Sequence, residues 1–146
     1  MGDLGARASR GSAAMKDAKE KFIALNLKIE EVSPMKSSLD VIKNNRAFSS
    51  LAKICKYFDA NREKADCILS KLLEHENNYV RIGAASHCLA LGIKTERALE
   101  VLNDIAQNAT IRYEKGKAEG VLMAYEQQGY LIIYQGQEIH RPEQKN

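Results

Sequence analysis

The chain has 146 residues, 45% of them apolar and 28% charged, with no Trp. That length suits one domain with a core of its own, needing no disulfide or metal, and the shortage of aromatics makes that core mainly aliphatic. A formal charge of +3 falls well short of what a chain devoted to phosphate backbones concentrates, and no apolar run reaches the roughly 18 residues of a membrane span.

Residues 1–14, MGDLGARASRGSAA, are rich in Gly, Ala, Ser and Arg and carry one large aliphatic residue, Leu4, so they lack the apolar stretch of a secretory signal. They read as a disordered leader or an added tag, with Met15 as the native start. From Lys16 to Val32, Phe22, Leu25 and Ile29 share one face, extended by Ala18 and Val32, which predicts an amphipathic helix. Ser33-Pro34 ends it, because proline restricts the preceding residue and cannot donate within a continuing helix.

Met35 to Lys43 predicts a short second helix around Leu39, Val41 and Ile42, broken at Asn44-Asn45. Helix resumes from Ala47 to Phe58 with Phe48, Leu51, Ile54, Cys55 and Phe58 aligned, and after a turn at Asp59 to Asn61 it runs from Arg62 to His75. Asn77 and Asn78 supply turn and N-cap chemistry for the next helix, VRIGAASHCLAL, whose stripe is Val80, Ala84, Cys88 and Leu91, widened by Ala85 and Leu89. Gly83, Ala84 and Ala85 are too small to fill a core and instead admit a neighbouring helix. Gly92 stops this helix. Thr95 is the candidate cap of a helix through Gln107, and a last helix spans Tyr113 to Gln128. After Gly129, residues 130–134, YLIIY, read as an extended or docking segment, and 135–146 as a flexible tail.

Nearly all of this is helix with short breaks, which favours antiparallel hairpins. A shift of 33 residues superposes one hairpin on the next: Ala65 on Ala98, Ile68 on Val101, Leu69 on Leu102, Leu72 on Ile105, then Gly83 on Gly116, Ala85 on Ala118, Cys88 on Val121 and Leu89 on Leu122. Two-helix repeats of this length predict an all-α fold, an α-α superhelix of stacked helical hairpins spanning residues 15–134 as one solenoid domain.

The runs NNRAF at 44–48, ILSKLLEHENNYVRIGAASHCLAL and ERALEVLNDIA resemble a small bacterial family of HEAT- or armadillo-like helical proteins of unknown function. The resemblance covers Met15 to Tyr134 and is most specific in NNYVRIGAASHCLAL followed by ALEVL. Tyr125 stands where the family usually has Trp. The resemblance implies an all-α superhelical fold. Because some relatives of this type are encoded beside polymorphic toxins, it also implies an antitoxin or immunity role, and it carries no catalytic residue.

The chemistry-bearing residues support binding rather than catalysis. Cys55, Cys67 and Cys88 form no CxxC pair, and an odd count without short spacing opposes both a disulfide framework and a zinc site; buried reduced thiols in a cytoplasmic protein are expected. His75, His87 and His140 lack metal-ligand spacing, so no metal or cofactor is expected. His87 and Cys88 are adjacent on a helix and point about 100° apart, poorly placed to share a proton.

Candidate partner contacts are Tyr79 and Tyr113 near the starts of the two repeat-related helices, together with Arg81, its counterpart Glu114, and His87. The acidic stripe Glu96, Glu100 and Asp104 could meet a basic partner. Each also has a structural reading: aromatic core packing, an Arg bridging the adjacent hairpin, a satisfied histidine and a solvated face. The leading expectation is a non-enzymatic module that binds a protein such as a cognate toxin. A HEAT-like nucleic-acid-binding or DNA-repair protein and a self-associating structural subunit stand as alternatives.

Overall fold

The computed structural model describes the backbone of residues 2–142 and the side chains of residues 17–142. The leader expected over residues 1–14 has its side chains outside that range. Six helices follow in order among the described residues: α1 (Gly2–Glu31), α2 (Ser38–Ala60), α3 (Arg62–Leu73), α4 (Asn78–Leu91), α5 (Thr95–Asn108) and α6 (Arg112–Gln128). None of them is long and apolar enough to cross a membrane.

Local chemistry sets most of the boundaries. Ser37 accepts from the Asp40 N–H and Asn77 from the Val80 N–H, capping α2 and α4. Gly92 and Gly129 close α4 and α6 in the left-handed region, with φ of 68° and 78°, where a side chain would be strained. Two boundaries depart from the sequence expectation. Lys94, at φ 50°, is the N-cap of α5, and Thr95 is its first helical residue, without a capping hydrogen bond. Helix α2 runs unbroken through Asn44-Asn45. Asn costs a helix only a few tenths of a kcal/mol and, unlike Pro, removes no hydrogen bond, so the pair does not interrupt the helix.

Helix α4 is the centre of the molecule, packing against α1, α3, α5 and α6. Ten of its residues are buried, from Tyr79 and Val80 to Leu91. The first helices of the two related hairpins match in burial as well as in sequence: Ala65, Leu69 and Leu72 in α3 and Ala98, Leu102 and Ile105 in α5 are all enclosed. In the second helices the match weakens. Cys88 and Leu89 are fully enclosed in α4, whereas their counterparts Val121 and Leu122 in α6 are only partly covered.

The two repeat-related glycines differ in the same way. A Cβ on Gly83 would lie 2.4 Å from Asn26 Oδ1, whereas a Cβ on Gly116 meets nothing within 4 Å. Gly83 therefore admits α1 at close range, and Gly116 faces open space. We expect Gly83→Ala to cost about 1–3 kcal/mol by overpacking. Gly116→Ala should add up to about 1 kcal/mol of helix propensity. Urea unfolding midpoints of the two variants check this, and equal shifts would refute the assignment.

Over residues 130–142 the chain is neither helix nor strand and lies back on the bundle. Leu131, Ile133 and Tyr134 pack against the core, and the Tyr134 hydroxyl donates to Asp59. Where a flexible tail was expected from residue 135, Gln137 is buried. Its Nε2 donates to Ala90 O at 3.1 Å and Leu131 O at 2.9 Å, and its Oε1 accepts from Ile133 N at 2.7 Å. A polar side chain satisfied this fully holds an otherwise irregular segment in place.

Candidate functional site

The residues proposed from sequence scatter across the fold. Tyr79 is 5% exposed, and its hydroxyl meets Ser33 Oγ at 3.3 Å, so it belongs to the core and not to a binding rim. Tyr113 is 55% exposed; a one-residue offset within the repeat puts the two tyrosines on different sides of their helices. Arg81 bridges hairpins as the structural reading had it, donating to Leu73 O at 3.1 Å and Asn78 Oδ1 at 3.2 Å and lying 3.7 Å from Asp104. Glu114 is buried and accepts from Asn78 Nδ2 at 3.0 Å, which occupies it in holding α4 to α6.

The acidic stripe is partly neutralised by the protein itself. Arg97 pairs with Glu74 at 2.7 Å and Glu100 at 3.1 Å, and these contacts raise its pKa. Asp104 pairs with Arg81 and accepts from Asn108 at 2.8 Å. Glu96 remains exposed at the start of α5.

His87 is also removed from the list of surface contacts. It is 4% exposed, edge-on to Phe22 at 4.8 Å between ring centroids. Nδ1 lies 3.0 Å from Gly83 O and Nε2 3.4 Å from Leu51 O. The shorter contact assigns the proton to Nδ1. Burial lowers the imidazole pKa to about 4, outweighing the two carbonyls, which favour the charged form. The ring is therefore neutral at pH 7. Of the cysteines, Cys55 and Cys88 are buried as expected and their thiols are pushed up to about 12 by desolvation, whereas Cys67 is exposed. Among the described residues no group of three His, Cys, Asp or Glu side chains converges to hold a metal.

A different site emerges between helices. A cleft of about 370 Å³ opens where α1, α2, α4, α6 and the C-terminal segment meet. Phe48 and Leu51 of α2, Val121 of α6 and Ile132 and Ile133 form apolar walls. Gly83, Ser86 and His87 of α4 and Asn26 of α1 supply the remaining, partly polar surface. Those polar groups are engaged internally: Asn26 Nδ2 donates to Phe22 O at 2.9 Å and Ser86 Oγ to Ile82 O at 2.9 Å.

Lys117 is the one formally charged residue lining the cleft. Its Nζ sits 5.3 Å from the Phe48 ring centroid and 5.4 Å from that of Tyr79, within the range of cation–π attraction. Among the described residues no carboxylate forms an ion pair with it, and desolvation lowers its pKa.

Sequence reasoning missed Lys117, Phe48 and Asn26. Phe48 falls by period on the core stripe but is 47% exposed; its ring borders the cleft, with Lys117 Nζ over it. For Lys117 a signal existed. It occupies the repeat position of Ala84, which is fully buried, and a lysine replacing an enclosed alanine marks a point where the second hairpin has lost its cover. The structure thus defines an all-helical protein with an apolar inter-helix cleft and a single cation at its edge. No protein-family model, curated protein or solved structure matches this chain.

Proposed function

We propose that this chain is a non-catalytic protein-binding module, a HEAT- or armadillo-like stack of helical hairpins that holds its partner against the exposed faces of α2 and α6. The observation that carries the reading is the set of large apolar side chains left open there. Val41 and Phe48, two turns apart on one face of α2, are 43% and 47% exposed, and Tyr113 and Met123 of α6 are 55% and 58% exposed. Large exposed apolar groups rimmed by polar ones are characteristic of interaction surfaces. Around Tyr113, Arg112, Lys115 and Lys117 outnumber Glu119, which favours an acidic partner surface over the basic one that the paired acidic stripe would have met.

The specific form of the proposal rests on the resemblance of NNYVRIGAASHCLAL and ALEVL. It is an immunity protein that occludes a cognate toxin, working in the cytoplasm, where three unpaired cysteines persist as thiols. Co-expression with the products of adjacent genes tests it, the expected result being rescue from one toxic product and a stable complex with it. Phe48→Asp and Met123→Asp should each weaken that complex about tenfold or more, as loss of an anchoring contact does. A complex indifferent to both substitutions would refute the α2–α6 face, and rescue by no adjacent pair would refute the immunity form.

A further inference from the structure

The cleft beside Lys117 has a chemistry that protein binding leaves unused. Its walls are aliphatic and aromatic, its polar side chains are neutral, with Asn26 Nδ2 and Ser86 Oγ donating within their own helices, and its one charge is an ammonium with no ion-pair partner among the described residues. A half-buried cation in apolar surroundings is costly unless paired, and Phe48 and Tyr79 offset only part of that cost. An anion reaching Lys117 from within the cleft would supply the counter-charge.

Size narrows the class further. A volume of about 370 Å³ lies in the range of small-molecule sites. At roughly 30 Å³ per heavy-atom group, the liquid volume of one water, it holds about a dozen such groups. One cation balances one negative charge and not a phosphate dianion. The apolar walls run from Phe48 and Leu51 through Val121 to Ile133, and water gains little by staying against them.

We propose that this cleft binds a monoanionic amphiphile, an aliphatic carboxylate of medium chain length, with its head on Lys117 and its chain between Phe48, Leu51, Val121 and Ile133. Binding in the cleft needs no partner on the outer faces of α2 and α6; Phe48 borders both sites, so the variants that test the cleft are placed at Lys117 and Val121, away from the residues that test the protein interface. Asn26, over Gly83 at the α1–α4 crossing, places a polar amide on the wall and limits how far the chain can run. Bound carboxylate restores the charged form of Lys117 that burial disfavours.

Calorimetric titration of the full chain with decanoate, 1-decanol and acetate tests the proposal below the concentrations at which the amphiphiles aggregate. Decanoate should bind saturably at one site, decanol about tenfold more weakly and acetate not measurably, since charge and chain are both required. Lys117→Met should bring decanoate down to the level of decanol while leaving decanol unchanged. Val121→Trp, which fills the cleft, should abolish both, and matching circular dichroism and melting curves confirm that each variant is folded. Equal binding of decanoate and decanol by the unmodified chain overturns the proposal. So does decanoate binding that survives Val121→Trp, or the absence of saturable binding.

Discussion

Leu89→Ala lowers the unfolding free energy by about 2–5 kcal/mol, the usual cost of deleting a buried leucine side chain and leaving a cavity behind it. Leu89 is 1% exposed in α4, the helix with the most neighbours to lose contact. Helix α4 is held by four other helices, which limits how far it can shift to close the void and places the cost toward the upper part of that range. Glu100→Ala serves as the control. Glu100 lies on the exposed side of α5 and loses only a solvent-screened contact with Arg97, worth well under about 1 kcal/mol. Denaturant titration of both variants measures the difference, and two equally mild changes would mean that the helices face the wrong way.

Acidification exposes the second large effect, at His87. Its pKa falls from the ordinary 6.5 to about 4 in the folded chain, so between those values the unfolded chain binds the proton that the folded chain refuses. Stability is therefore fully present above pH 6.5 and is lost as pH falls toward 4. At 1.36 kcal/mol per unit the loss approaches about 3 kcal/mol. Carboxylates begin to titrate in the same region, so the informative quantity is a difference between proteins. His87→Asn, neutral at every pH and with its amide nitrogen in the place of Nδ1 toward Gly83 O, removes the histidine contribution. The stability gap between the two proteins should shift by about 3 kcal/mol in favour of the variant from pH 7 to pH 4. Parallel pH profiles would show that the ring is accessible to protons in the folded state.

These two residues also mark how far the sequence could be read. Leu89 was legible because its class and its period agree: a leucine on the apolar stripe of a capped helix has one destination. For His87 the sequence left two readings, a partner contact and a satisfied histidine, because a histidine next to Ser86 carries no signal of what will cover it. Phe22 and Phe58, from α1 and α2, close around it, and neither contact is local in the chain. The burial of Asn26 and Gln137 was equally invisible. Each sits at a polar position by type and is enclosed only because of a distant element: Gly83 lacks the Cβ that would displace Asn26, and Ala90 O accepts from Gln137. Phe48 failed in the other direction, a large apolar residue in helical register left 47% exposed.

By itself the sequence determined the local order of this protein. The all-helical class, the hairpin breaks at Ser33-Pro34, Asn77 and Gly92, the 33-residue correspondence of Ala65 with Ala98 and Leu69 with Leu102, and the aliphatic core follow from periodicity and capping, which act over a few residues. Only the tertiary structure decided which faces stayed open. The second hairpin repeats the pattern of the first, yet Gly116 meets nothing where Gly83 meets α1, and Lys117 borders a cleft where Ala84 is enclosed. The physical reason is that burial belongs to pairs of elements: an apolar stripe states that a helix needs cover, and only its neighbours in space determine whether it gets it.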